Sequence, residues 1–468
     1  MRTRQADTWT TRTRGRQPAG GGCTGGCTGG CTGGRTGRRA GRGAGRGAAA
    51  RAGLVAGLWL LVAAPAAVRG TAETPAAMAM GGAYSAAACD YEAAHLNPAN
   101  LSLAGNAGLS LHILSLAGQA GNSTLSVDDY RRLNGSTLDE DDKDSILSRL
   151  DGDLFEFDVS GDAAGLSVTY RGLALTLTST AVATGGLPRD LVELLLEGNE
   201  LDRRYDLGAT RGEATALSTV GVSASHGIHQ YLPSLAGVVD ELTVGGTVRY
   251  VRGWYYGRIE EASGSLVTTY EGVQGDGLIR RRSSESGSGA ALDLGVAARR
   301  GALRLGLSLG DLVSRVTWTD GEEVITTFRA DSLTVVNAGT GDGLVTDDEE
   351  TRAIGDFEVR VPARLRLGAA YALGRWLVTG EYAQGWGGEG LTPARAAWAA
   401  GVEHRTLAWL RLRGGLSLGP GRAPAISVGS GLHAGAARID LAVASHGGLL
   451  PSQDEGVGLA LGVGLAFR

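Results

Sequence analysis

The chain has 468 residues, 77 of them Gly, and a formal net charge of −5. Gly does not recur every third residue, which excludes collagen, and four Cys in this length exclude a disulfide scaffold. The one Lys, Lys143, sits in Asp141-Asp142-Lys143-Asp144, so the chain has no Gly-Lys-Ser/Thr phosphate loop.

Residues 1–50 read as a low-complexity basic leader, either an over-extended start or a long n-region. They carry Gly-Gly-Cys-Thr three times, with Cys23, Cys27 and Cys31 but no His or fourth ligand to complete a zinc site. Residues 51–70 have the layout of a cleaved signal peptide. Arg51 precedes the apolar run Leu54 to Ala64, and Ala64-Pro65-Ala66 supplies the small residues. Removing residues 1–70 leaves 32 basic and 48 acidic residues, a balance that argues against nucleic acid as a partner. Only Cys89 remains, so no intrachain disulfide can form.

From Thr71 onward no run is apolar long enough for a spanning helix, and the dominant period is two. Candidate strands lie near 106–116, 164–171, 173–182, 217–226 and 242–256. Leu292, Leu294 and Val296 alternate with Asp293 and Gly295. Leu303, Leu305, Leu307 and Leu309 alternate with Arg304, Gly306 and Ser308. The same pattern recurs at Leu365 to Tyr371 with Arg364 and Arg366, at 374–384, at Val402 to Arg405 with Glu403, and at Leu410 and Leu412 with Arg411 and Arg413. It continues at 424–434 and at Ile439 to Val443 with Arg438 and Asp440. The last segment alternates Val457, Leu459, Leu461, Val463, Leu465 and Phe467 with Gly or Ala.

We count 14 to 16 strands of roughly membrane-spanning length. A soluble sandwich alternates too, but signal-peptide layout and the mixed charges on the small face favour an antiparallel transmembrane β-barrel. On that reading Asp293, Arg304, Arg364, Arg366, Glu403, Arg405, Arg411, Arg413, Arg438 and Asp440 face the lumen and pair there. Glu381 is a further acid on the same face. Aromatic residues for the interfacial girdles are sparse: Trp254-Tyr255-Tyr256, Trp376, Tyr382, Trp386, Trp398 and Trp409.

Two segments break the period. Thr137-Leu-Asp-Glu140 reads as a capping box opening a helix with Ile146, Leu147 and Leu150. Pro188 opens a second helix, closed by Gly198-Asn199. Acid-rich stretches at 139–144, 320–323 and 347–350 read as solvated loops.

Catalytic and metal patterns are weak. Gly306-Leu-Ser308-Leu-Gly310 and Gly415-Leu-Ser417-Leu-Gly419 match a nucleophile elbow in spelling, but both lie inside period-two runs with no following helix. His226 and His229 fall on opposite faces of a strand. Asp139, Asp141 and Asp144 are spaced like calcium ligands, but Asp144 stands where the loop needs Gly. We expect no enzyme activity and no cofactor or resident metal.

The segment Ala79-Met-Gly-Gly-Ala-Tyr84, then Asp90-Tyr-Glu-Ala93 and Asn97-Pro98-Ala99, resembles the opening of the FadL-like superfamily of outer-membrane barrels. That superfamily includes long-chain fatty-acid transporters and the PorV-like proteins of type IX secretion. Later blocks fit it in order: Asp293-Leu-Gly295, Val361-Pro362 through Gly368, Gly401-Val-Glu403-His-Arg405, and the run from Leu410. The middle section, with the Thr137 helix, Gly186 to Asp190 and Val248 to Gly253, resembles the DUF5723-type barrels.

The resemblance implies a barrel of about 14 strands over 106–468 and an N-terminal plug over 71–105. Asn97, Pro98 and Ala99 match the plug motif. It further implies a monomer in the bacterial outer membrane that touches outer-membrane lipid and meets the barrel-assembly machinery through its C-terminal strand. The function implied is passage or binding of small hydrophobic, fatty-acid-like molecules, with a docking barrel for surface or secretion proteins as the alternative. The terminal Phe467-Arg468 and the two helical insertions depart from the transporter pattern.

Overall fold

The chain divides into two compact units, Met1–Gly57 and Leu58–Arg468, and only the second contains described residues. The computed structural model describes residues 74–150, 154–235, 237–333, 345–387, 396–419, 424–447 and 456–467. The leader and the signal segment lie outside the described residues.

All the strands pair antiparallel in one sheet that closes on itself. The chain lays down β1 (Leu109–Asn122), β2 (Leu154–Ala164), β3 (Ser167–Tyr170), β4 (Leu173–Pro188), β5 (Arg204–Asp206) and β6 (Arg211–Gly227). It then forms β7 (Glu241–Thr269), β8 (Gly272–Ser284), β9 (Ser286–Arg300), β10 (Leu303–Leu333), β11 (Val345–Val359) and β12 (Ala363–Leu373). Last come β13 (Trp376–Trp386), β14 (Ala397–Arg405), β15 (Leu410–Leu418), β16 (Ala425–Ala434), β17 (Ala437–His446) and β18 (Gly456–Phe467). β18 returns to β1, with Leu109 opposite Phe467 and Gly121 opposite Gly456, which closes the ring. Four pairs of consecutive strands continue one another along the same neighbour: β2 with β3, β5 with β6, β8 with β9, and β11 with β12. The eighteen strands among the described residues therefore make fourteen staves.

The residue sizes are inverted relative to a water-soluble fold. On β17 and β18 the large residues Ile439, Leu441, Val443, Leu459 and Leu461 point outward and are exposed, while Ala442, Ala444 and Ala460 are buried on the inner side. A continuous exposed apolar belt needs lipid as its solvent. Aromatic residues edge that belt. Tyr170, Tyr371, Trp376, Trp409 and Phe467 are exposed at one end of the staves, and Trp386 and Trp398 at the other. Trp376 and Trp386 bound β13, so they lie about 33 Å apart along the strand. At a tilt of about 40° that spans about 25 Å of height, the thickness of a membrane-barrel apolar band.

The end that carries Tyr170 and Trp376 has short turns at 171–172, 301–302, 374–375 and 435–436 together with the loop 228–240, and the other end carries the helical insertions. The first insertion holds two helices, Val127–Leu133 and Glu140–Ser148. The capping box of the second is built by Asp139 and Asp142, two residues later than Thr137 suggested; Asp139 accepts from the Asp142 N–H. The stretch 139–144 is thus a helix start rather than a loop, and its acids serve as cap and first turn. A third helix, Arg189–Leu196, follows Pro188 as expected. Leu147 and Leu150 pack against Val192, with Phe155, Leu187 and Leu196 around them, so the insertions cover each other. Burial opposes charge on Asp129, but hydrogen bonds from Arg149 and Ser126 outweigh it and hold that carboxyl below the usual carboxylate range.

The other acid-rich stretches are also structured. Residues 320–323 belong to β10, where 321–323 lie opposite 352–355 of β11 and 322–323 opposite 282–283 of β8, and residues 347–350 belong to β11, opposite 325–328 of β10. β7 has 29 residues and β10 has 31, against 11 for β13. At about 3.3 Å per residue the long staves overrun the apolar band by tens of ångströms at the end that carries the insertions. Arg280–Glu261 (2.5 Å) and Arg282–Glu260 (2.8 Å) tie β7 to β8 in these ribbons. Sequence alone misses them because Val324-Ile-Thr-Thr-Phe328 is flanked by acids that look like loop punctuation.

Candidate functional site

Residues 74–107 lie inside the ring. The segment is rich in Ala and folds as a helix at Pro75–Ala79, a helix at Tyr91–Leu96 and a 3-10 turn at Pro98–Ser102. Nearly all of it is buried. Asn97 starts the 3-10 turn. Its Oδ1 accepts from the Ala99 N–H (3.1 Å), and its Nδ2 donates to the Val296 carbonyl on β9 (3.2 Å). Pro98 occupies the first position, where a missing N–H costs nothing. Asn100 Nδ2 donates to the Ser85 and Ala88 carbonyls and knits the segment to itself.

The wall meets this main chain with polar side chains. Glu381 Oε2 on β13 accepts from the Tyr84 N–H (3.1 Å) and Ser85 N–H (2.8 Å), and Arg366 on β12 pairs with Glu381 (3.3 Å). Ser225 and Thr243 both donate to the Ala99 carbonyl at 2.8 Å, and Ser308 donates to Leu96 at the same distance. Asp90 accepts from Arg438 (2.6 Å) and from the Ala107 N–H (2.7 Å). These bonds satisfy helix ends and turns that a buried coil would otherwise leave unpaired.

Glycine makes the close approach possible. A Cβ on Gly245 would lie 2.6 Å from Ala99 N, and one on Gly401 would lie 2.8 Å from the Met80 carbonyl oxygen. A Cβ on Gly415 would overlap the backbone of Met80 and Gly81. No real side chain fits at such distances, so the small face of these strands is the seat of the plug.

Glu92, on the Tyr91–Leu96 helix, is enclosed by the wall but keeps part of its surface open to the lumen. Burial and then the charge of Asp440 push its carboxyl up to about 8, against the pull of Arg413. Burial likewise raises the Tyr84 and Tyr91 hydroxyls, so both stay neutral. Tyr91 stacks on His112 of β1 with ring centres 3.5 Å apart.

Farther along the same staves from the short-turn end the lumen opens into a chamber of about 150 Å³. Its floor is the plug at Ala94, His95, Leu96 and Pro98. One wall carries hydroxyls, including Thr176, Thr178, Thr219 and Thr247; Thr178 and Thr219 share a hydrogen bond of 2.7 Å. The facing wall is an ion network. Arg249 bonds Asp293 and Asp311 (2.7 Å each), and Arg364 bonds Asp311 (2.9 Å). Asp311 reaches this network because the register of β10 slips between Leu309 and Val313, and it sits there with φ of 54°. A bulge re-aims a side chain in this way.

Beyond the chamber an apolar cap crosses the inner face. Leu217, Val251, Tyr256, Ala291, Val316, Trp318 and Val359 form one buried cluster. Arg282 lies 4.6 Å over the Phe357 ring at its edge. Tyr256 belongs to this cap and not to an interfacial girdle, because the extra residue Trp254 bulges from β7 and turns the two aromatics to opposite faces.

The structure distributes the charged candidates among three places. Asp293 and Arg364 join the chamber network, with Arg366 beside it. Arg304 donates to the Ala104 carbonyl (3.0 Å) and Arg438 to Asp90, both on the plug. Glu403 is buried and accepts from Arg413 (2.9 Å) and Arg411 (3.3 Å), with Arg405 at 3.8 Å and largely exposed; Arg413 also bonds Asp440 (2.5 Å). Arg249, Asp311, Asp90 and the threonine wall are the residues that sequence reasoning missed. Ser308 is a plug contact, which leaves its hydroxyl committed to a carbonyl. Among the described residues no group of three His, Cys, Asp or Glu is placed to hold a metal.

Residues 98–277 match the model of DUF5723, a family of unknown function. The matched stretch runs from Pro98 in the plug to β8, and it contains the Thr137, Gly186 and Val248 blocks on which the resemblance rests. No curated protein matches the sequence. Among solved structures, the toluene transporter TodX of P. putida is 14% identical, with 84% of this chain and 98% of that chain covered at a TM-score of 0.47. The monoaromatic hydrocarbon channel CymD is 13% identical, with 84% and 97% covered at 0.46. The translocator domain of the autotransporter NalP from Neisseria meningitidis is 10% identical, with 78% and 91% covered at 0.30. The ring, its closure and its plug rest on the strand pairing described above.

Proposed function

We propose that this protein is a monomeric outer-membrane channel for small molecules, gated by its own N-terminal segment. The observation that carries this reading is how the plug is held. Residues 74–107 sit on the inner wall through hydrogen bonds, ion pairs and close backbone packing, with the chamber directly above them. Such contacts can be broken and remade, so the segment can shift without unfolding the ring, which is hydrogen-bonded all round. The hydrophobic ligand expected from the resemblance gains no support inside the lumen, where the chamber is lined by hydroxyls and ion pairs. An apolar hollow does exist, lined by Val244, Leu294, Val296 and Leu307, but several of these side chains face outward toward lipid.

Deleting residues 76–100 tests the gate. The reading expects planar-bilayer conductance to rise severalfold in a barrel that still folds; unchanged conductance would reject it. The docking alternative draws on the β7–β8 and β10–β11 ribbons, in which residues 346–356 of β11 are exposed on both faces. Shortening these ribbons removes a surface partner on that reading and leaves conductance as it was.

A further inference from the structure

We propose that the chamber is a binding site for a small uncharged polyhydroxy solute of glycerol or erythritol size. This deepens the channel reading and rests on it only for the route by which the solute arrives. Size comes first. A dry cavity of about 150 Å³ holds benzene, a molecule of six heavy atoms, and this chamber has the same volume with a polar lining.

The charge arrangement disfavours anions. Arg249 and Arg364 are matched by Asp293 and Asp311, and Arg366 by Glu381, and Asp158 and Asp162 bring two more carboxylates to the lining. An anion would meet these carboxylates and would have to break one of the ion pairs, leaving a buried charge behind. An apolar solute fares no better, because it would strip water from the carboxylates and hydroxyls and return no hydrogen bonds.

A polyol meets what the wall offers. Thr178 and Thr219 hold two hydroxyl hydrogens between them and use one in their mutual bond, which leaves a donor and several lone pairs. Two further polar atoms on the lining are buried and have no hydrogen-bond partner: Arg249 Nε and Ser314 Oγ. One is a donor and the other both donates and accepts, so a solute hydroxyl can satisfy each of them. Unpaired buried polar atoms are uncommon enough that each needs a reason, and two on one chamber point to a ligand with alternating donors and acceptors.

The test is a ligand-observed NMR titration of erythritol against the full chain folded in detergent, with toluene and lactate as competitors. Erythritol should receive saturation transfer, neither competitor should displace it, and Ser314→Ala should weaken it about fivefold, the loss of one neutral hydrogen bond. Thr219→Val serves as a second variant, and heat-modified gel mobility confirms that each barrel is folded. No transfer to erythritol, displacement by toluene or lactate, or equal binding by both folded variants overturns the proposal. Liposome swelling in erythritol separates it from the channel reading. Binding without swelling rejects passage and keeps the site; swelling that both variants leave untouched, with no binding, rejects the site and keeps passage.

Discussion

The inner wall of β14 to β16 and the inner wall of β4 and β6 occupy the same barrel and carry opposite contents. The first presents Gly401, Gly415 and Gly429, and residues Ala79 to Gly81 lie so close that a Cβ on any of these glycines would collide with them. The second presents Thr176, Thr178 and Thr219 at inward positions and borders open space. Both walls follow the same period-two rule. The size of the inward residue alone sets where the plug can lie against the wall and where a chamber remains.

Five changes put that difference to the test. Glu381→Ala should do the most damage, because it frees two plug N–H groups and leaves Arg366 without its carboxylate partner. Breaking a buried pair costs about 3–5 kcal/mol, and chemical denaturation followed by plug proteolysis should show it. Gly415→Val forces backbone apart where no rotamer gives relief. A cost of about 1–3 kcal/mol is expected for such overpacking, read as raised conductance, whereas Thr219→Val on the other wall should leave conductance unraised. Asn97→Ala removes the cap on the 3-10 turn and the bond to Val296, a loss of about 1–2 kcal/mol, seen as faster proteolysis within 97–107.

Glu92→Gln is the mildest and concerns pH. The carboxyl moves from its ordinary 4.5 to about 8 in the seated plug. The seated plug therefore holds a proton that a released plug gives up between those values. Seating is firmest below about pH 4.5 and weakens as pH rises to about 8. Conductance of the wild type should climb over that window, and in Glu92→Gln that climb should flatten.

Much of this was legible from periodicity. The outward leucines of β17 and β18 and the inward small residues follow from strict alternation, and a membrane is the only solvent that suits them. The opening blocks around Asn97-Pro98-Ala99 marked the segment that fills the ring. What alternation cannot give is anything that depends on a slip. One extra residue at Trp254 sends Tyr256 inward, and the slip after Leu309 sends Asp311 into the ion network; a fixed count places neither. Nor does sequence say which glycines face a plug and which only lighten the wall, since that depends on contacts between residues over a hundred positions apart. The ribbons were missed for a different reason: strands in water beyond the membrane no longer need an apolar face.

Hydrogen exchange at the plug amides tests the central claim most directly. In the intact chain the N–H groups of Tyr84, Ser85, Ala99 and Ala107, all hydrogen-bonded in the seat, should exchange slowly. In Gly415→Val they should exchange fast while amides of β17 and β18 stay protected. Fast exchange in the intact chain, or protection that Gly415→Val leaves unchanged, would contradict a plug seated on the glycine face.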